Sequence, residues 1–198
     1  MLESLKNLDT ELLLFFNHLN NPVLDFIFYW FSNKWFWIPF YSFLAWTVYR
    51  FDKTHFIIVI IFIAATIAIC DQLSSSVIKE NVMRLRPCHD PAIANKVHLV
   101  GNYCGGKYGF VSSHAANVFS LAAFVTSLLK GKFNSLKKII WIWAILVSFS
   151  RIYLGVHFPG DVILGALLGL IVGKILERIY IFVIHRIQKV KGDQEAVV

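Results

Sequence analysis

Three separated clusters of polar residues hold the groups in this chain that could do chemistry: Lys79 with Arg86-Pro87, Ser112-Ser113-His114, and Ser150-Arg151 with His157 and Asp161. Each lies at the end of an apolar stretch, where charge is costly unless it performs a task. His157 and Asp161 are four residues apart, a spacing that shares one helix face. A carboxylate there accepts the imidazole Nδ1–H and leaves Nε2 free to attack an electrophile. Pro159 and Gly160 suit a helix start whose free N–H groups favour an anion, and Arg151 offers a forked donor to phosphate oxygens. The plain alternative is a capped helix with a buried Arg–Asp pair.

Ser112 or Ser113 can cap the helix that follows while facing a ligand, and His114 would then donate a proton to a leaving oxygen. Read alone, this is an N-cap beside an interfacial histidine. Lys79 supplies a point charge and Arg86 a planar fork, with Pro87 turning the chain out of any helix. Read alone, both are snorkelling cations.

The elements that must carry these groups are apolar. The 198 residues are 57% hydrophobic and 16% charged, with a mean hydropathy of +0.62, more apolar surface than a soluble core can hide. Segments 35–49, 55–70, 115–129, 139–153 and 162–183 are each long enough, or nearly so, to cross a bilayer. The expected fold is an all-α, polytopic membrane helix bundle with five or six transmembrane helices and an extracytoplasmic active-site loop. The whole chain reads as one domain: short or interfacial helices over 1–33, the bundle over 34–185, and a basic then polar tail over 186–198. Asn20-Asn21-Pro22 breaks the first part, leaving either a kinked sixth span or an interfacial helix followed by a short buried one, the latter slightly preferred. The helix of segment 35–49 begins earlier or tilts. Residues 1–10 lack a basic n-region and a cleavage site, so no cleaved signal is expected.

The net charge of +7 does not require nucleic acid, because the basic residues sit in loops between spans. Lys130, Lys132, Lys137 and Lys138, the tail with Arg186, Lys189 and Lys191, and the turn with Arg50 and Lys53 fall on one side if the spans alternate. That side is cytoplasmic by the positive-inside rule, so all three polar clusters meet on the opposite, periplasmic or outer face of a bacterial inner membrane. The basic loop between Lys79 and Val111 opposes the rule locally, as an anionic ligand would explain.

Taken jointly, K-x6-RP, SxH and SR-x5-H-x3-D in this order resemble the type 2 phosphatidic acid phosphatase superfamily, which includes membrane lipid phosphatases and soluble vanadium haloperoxidases. The motif region is Lys79 to Asp161, within a helical framework from about residue 35 to 185. The resemblance implies that His157 is the nucleophile of a phosphohistidine intermediate, oriented by Asp161, with His114 the proton donor. It implies that Lys79, Arg86, Ser112, Ser113 and Arg151 hold the phosphoryl oxygens, with no metal or other cofactor. One departure stands out: the family reads P-S-G-H where this chain has Val111-Ser112-Ser113-His114, so Ser113 adds a side chain beside the phosphate.

The expected activity is hydrolysis of a lipid phosphate or diphosphate: undecaprenyl diphosphate, phosphatidylglycerol phosphate, phosphatidate or a lipid A phosphate. The alternatives are a lipid phosphotransferase using the same site and a non-catalytic anionic-lipid binding or transport protein. Cys88 and Cys104 can close a disulfide loop of about 17 residues, or remain two free thiols. Gly165, Gly169 and Gly173 form a small-residue stripe for packing within the bundle or, less favoured, for a homodimer. Asp71 is a candidate buried carboxylate or a headgroup contact. Residues 28–37 read as an aromatic interface belt, and His89, His98 and His185 as loop histidines without partners.

Overall fold

The computed structural model describes residues 2–129, 131 and 133–195. Lys130 and Lys132 of the expected basic loop and the last residues of the tail, 196–198, lie outside the described residues. Among the described residues eight α-helices follow in order: α1 (Leu2–Asn17), α2 (Pro22–Ser32), α3 (Ile38–Phe51), α4 (Phe56–Gln72), α5 (Lys79–Val82), α6 (Ser113–Leu128), α7 (Asn134–Tyr153) and α8 (Pro159–Glu195). No strand forms among the described residues; one isolated antiparallel bridge joins Leu85 to Tyr108.

Local chemistry sets several boundaries. Asn21 N-caps α2, its side chain accepting from the Val23 and Leu24 N–H groups, and Pro22 stands at the first helical position. The Asn-Asn-Pro break is therefore a fresh helix start. Of the two N-terminal helices, α1 buries Leu13 and Asn17, whereas α2 buries no residue fully, contrary to the expectation of a short buried helix. Asn33 then caps a 3-10 turn, Lys34–Trp37, so the next long helix begins at Ile38, later than expected.

The segment after residue 55 runs further than its apolar stretch. A π turn, Leu73–Ile78, joins α4 to α5 without a break, so Phe56–Val82 is one helical run and Lys79 stands on it rather than in a loop. Among the described residues this run alone is both long and apolar enough to cross a bilayer by those two measures. At the other end α8 continues through 37 residues to Glu195, absorbing most of the expected tail and His185. At 1.5 Å per residue it is about 56 Å long, more than a hydrocarbon core needs.

The core centres on α6. Phe124 stacks on Phe62 of α4 and meets Tyr180 of α8 edge-on, while Ile140, Trp143, Ala144 and Val147 pack from α7. The glycine stripe of α8 faces α6 of the same chain. A Cβ at Gly165 would lie 2.5 Å from the Ser112 carbonyl oxygen, one at Gly173 2.6 Å from that of Ser120, and one at Gly169 would collide with Ala116. The stripe is thus consumed inside the bundle, not at a dimer contact, as small residues permit in lipid. Ile163, Leu167, Ile171 and Ile175 project outward on α8 and Ile142 and Ile145 on α7, apolar surface suited to hydrocarbon.

The aromatic run is only partly a belt. Phe28 packs on Tyr153, Phe31 stacks on Trp37, and Trp37 meets Trp143, while Trp35 stays exposed. Asp71 is exposed, which corrects the buried-carboxylate option. His98 is not partnerless: its ring lies 2.9 Å from an Asp25 carboxylate oxygen, and its backbone N–H donates to Asn17. His89 reaches the Gly105 carbonyl at 3.4 Å.

Candidate active site

Four pieces of backbone meet at one end of the bundle. The Ser112 N–H donates to the Asp161 carbonyl at 2.9 Å, tying the start of α6 to the start of α8. The 84–86 and 107–109 segments pair through Arg86 N–H to Lys107 O at 3.1 Å and Gly109 N–H to Arg84 O at 2.8 Å. The Val156 and His157 N–H groups both donate to the Arg151 carbonyl at 3.2 Å, folding the short α7–α8 turn back on itself. Gly155 in that turn has φ +70°, and an added Cβ would meet the Asn17 side chain at 3.2 Å.

This framework brings Lys79, Arg86, Ser113, His114, Arg151 and His157 onto the wall of one cavity of about 580 Å³. Ser112 and Asp161 are fully buried and do not line it. Ser112 N-caps α6, its hydroxyl accepting from the Ala115 N–H at 3.5 Å. Asp161 stands behind His157, not beside it on a helix face, because His157 precedes α8 and Asp161 lies in its first turn. Asp161 Oδ2 is 3.5 Å from His157 Nδ1 and accepts the Phe158 N–H at 3.1 Å. Such contacts are commonly long before substrate binds and tighten with it.

Each cation is held by a different device. Arg86 donates to the carbonyls of Tyr108 and Cys104, both at 3.3 Å, and of Val156 at 3.4 Å. Gly105, at φ +85°, lets the chain pass close beside that guanidinium: an added Cβ would sit 3.2 Å from it. Cys88 and Cys104 are disulfide-bonded, with Cα atoms 6.0 Å apart, so the bridge staples the residues after Arg86 to the segment whose carbonyl holds its side chain. Arg151 is buried and contacts the Ser32 hydroxyl of α2, while its Nε is unpartnered and available to an anion. Lys79 donates to Ser113 Oγ at 2.8 Å, and Ser74 of the π turn donates to the same oxygen at 2.8 Å. The serine that replaces the family glycine is therefore engaged by the lysine, its side chain turned toward α4–α5.

Burial first, and then the positive charges of Arg86, Arg151 and Lys79, push the His157 imidazole well below the ordinary histidine value, with the Gly109 backbone opposing. A neutral imidazole beside three cations has a lone pair to give and repels further protons. Its neighbours attract a dianion.

Arg84 and Asp9 were not singled out from the sequence. Arg84 donates to Asp161 Oδ1 at 2.8 Å and to Asp9 Oδ2 at 2.6 Å. The R-x-R spacing ahead of Pro87 is the signal that could have flagged Arg84; Asp9, on an amphipathic helix far upstream, carries none. Tyr29, Lys34, Trp35 and Tyr103 also line the cavity, at its rim.

An all-helical bundle whose apolar exterior surrounds a cationic pocket with two histidines defines a membrane enzyme acting on phosphate. A family model described as the PAP2 superfamily matches residues 55–184, and the chain belongs to that superfamily. It is 38% identical over 182 residues to a lipid A 4'-phosphatase of Porphyromonas gingivalis, covering 91% of this chain and 76% of that protein. It is also 38% identical over 171 residues to a lipid A 4'-phosphatase of Bacteroides thetaiotaomicron, covering 85% of this chain and 75% of that protein. The crystal structure of Aquifex aeolicus LpxE superposes with a TM-score of 0.62 at 28% identity, over 86% of this chain and 95% of that one. A PAP2-type phosphatidylglycerolphosphate phosphatase from Bacillus subtilis shares the fold, with a TM-score of 0.64 at 21% identity over 89% of this chain and 86% of that one. The protein is an integral membrane lipid phosphatase.

Proposed function

We propose that this enzyme removes a phosphate from a phosphorylated glycolipid at the periplasmic face of the bacterial inner membrane, the 4'-phosphate of lipid A being the favoured substrate. The observation that carries the choice is coverage. The likeness to lipid A 4'-phosphatases extends over 91% of the chain. That to phosphatidylglycerophosphatase B of Bacillus subtilis covers 51%, and that to an undecaprenyl-diphosphatase of Sulfolobus acidocaldarius 31%. The rim supports it further. Tyr29, Trp35 and Tyr103 offer flat faces with polar tips, and Lys34 adds a cation beside them, features that suit a sugar headgroup better than a bare glycerol.

In this reading His157 Nε2 attacks phosphorus while the bond from phosphorus to the sugar oxygen breaks, and His114 gives its proton to that departing oxygen. Water then attacks the phosphohistidine and gives a proton to His114, the bond from phosphorus to His157 Nε2 breaks, and inorganic phosphate leaves with His157 neutral again. Lys79, Arg86, Arg151 and the N–H group at Ser113 carry the charge that spreads over the equatorial oxygens. Asp161 holds the imidazole in place. The positioned cations do what a metal does elsewhere, so the scheme uses none. The helices α3, α4, α6, α7 and α8 are the five spans, with 1–33 at the interface, the cavity facing outward and the whole chain acting as one domain.

Inorganic phosphate release from detergent-solubilised lipid phosphates tests the substrate. Lipid A 4'-phosphate is expected to be hydrolysed in preference to phosphatidate, phosphatidylglycerol phosphate and undecaprenyl diphosphate. A preference for the diphosphate would overturn the choice. Reaction in 18O-labelled water is expected to label the phosphate released; an unlabelled lipid-phosphate product would mean transfer instead.

A further inference from the structure

The mechanism above uses one oxygen of Asp161, and the other is also occupied. Asp161 Oδ1 accepts from Arg84 at 2.8 Å, and the second terminal nitrogen of Arg84 donates to Asp9 Oδ2 at 2.6 Å. Asp9 Oδ1 in turn accepts the Gly160 N–H at 2.7 Å, in the first turn of α8. The Arg84 guanidinium lies 4.0 Å from the centroid of the Phe158 ring, packed on the residue that follows His157. Asp161 is fully buried, and the side chains of Arg84 and Asp9 are 25% and 15% exposed. Asp9 belongs to α1, outside the region 55–184 that matches the family.

We propose that Arg84 and Asp9 are positioning residues for the phosphoryl transfer: Arg84 aims the Asp161 carboxylate at His157, and Asp9 fixes Arg84. A buried carboxylate without a cation reverts to its neutral form and ceases to orient a neighbouring imidazole. A planar guanidinium satisfies two carboxylates at once from its two ends, which one ammonium does not do with comparable geometry. Asp9 completes the set by a second route, because its other oxygen holds the backbone at Gly160, one residue before Asp161. The N-terminal helix is then built into the catalytic apparatus. A purely structural reading makes Asp9–Arg84 a clasp between α1 and the bundle, and the two readings differ in what they do to kinetics.

The inference rests on His157 being the nucleophile, so His157→Ala is the control. The measurement is a double-mutant cycle of kcat, KM and orthovanadate inhibition on the full chain in detergent. Asp9→Asn, which keeps the side-chain size, is expected to lower kcat about tenfold, and Arg84→Met about a hundredfold, the latter at the lower end of the range by which positioned acid–base groups act. KM and the orthovanadate inhibition constant stay within about twofold, since the anion-binding cations are untouched. Adding Asp9→Asn to Arg84→Met costs nothing more, and Arg84→Lys recovers part of the activity. Should Arg84→Met not fold, Arg84→Lys carries the same cycle. Wild-type kcat in Asp9→Asn, a loss seen in KM and vanadate binding instead, or an undiminished effect of Asp9→Asn in the Arg84 variant would each overturn the inference. Turnover by His157→Ala sinks the nucleophile assignment itself; an inactive His157→Ala with a normal Asp9→Asn sinks only the role of α1.

Discussion

A histidine that is to attack phosphorus must be neutral, and the surroundings of His157 favour that form, as the proposed scheme requires. Burial and three nearby cations push its imidazole below the ordinary value, so the neutral form persists as the solution is acidified. The sign follows: the proton that would silence the nucleophile binds only at a pH lower than a free histidine needs. After division by the fraction of substrate phosphate that is dianionic, kcat/KM is expected to hold as pH falls through about 6.5 and to fail only further down. An enzyme-derived acid limb at or above that value, measured on wild type, would mean that the attacking group is a solvated imidazole. Ser113 shows the same economy at this scale. Where the family has glycine, this side chain accepts hydrogen bonds from Lys79 and Ser74.

At the scale of elements, the glycine face of α8 does two jobs that mutation can separate. Gly165 lies against Ser112, the N-cap of α6, whose N–H holds the Asp161 carbonyl behind the pocket; Gly173 lies against Ser120, two turns deeper. An alanine at either position forces helix backbones apart, costing about 1–3 kcal/mol. Both Gly165→Ala and Gly173→Ala are expected to lower the thermal midpoint in detergent, but only Gly165→Ala shifts Ser112 and so lowers kcat. Equal kcat losses in the two variants would show that the stripe positions nothing in particular. The stripe, the apolar segments and the fresh helix at Pro22 were all legible in the sequence, because periodicity, length and capping act locally. The same holds for Lys79, Arg86, His114, Arg151, His157 and Asp161, whose residue types are costly at such places without a task. The continuation of α4 through Ser74–Ser76 to Lys79 was not legible, since a serine run favours turns unless neighbouring helices hold it. Nor was the reach of α1: Asp9 sits on a half-exposed helix face, where a carboxylate needs no special explanation.

The molecule as a whole is organised around which side its pocket faces, and the disulfide bears on that. Cys88–Cys104 closes the loop that begins two residues after Arg86, and Cys104 itself offers a carbonyl to that guanidinium. Such a bridge persists in an oxidising compartment, the environment that the proposed outward-facing pocket would have. In the chain-entropy account, a loop of about 17 residues stabilises the folded loop by roughly 3 kcal/mol. Losing it loosens the loop and leaves the helices intact, because the bundle core lies in α3, α4, α6, α7 and α8. Reduction with dithiothreitol, or the paired change Cys88→Ser and Cys104→Ser, is therefore expected to raise KM and weaken orthovanadate inhibition several-fold, with little change in helical circular dichroism. The reductant should have no further effect on the paired variant, since the remaining Cys70 is buried and free. If the reduced enzyme binds orthovanadate as tightly as the oxidised one, Arg86 is held by its backbone carbonyls alone and the bridge serves the loop for some reason other than substrate capture.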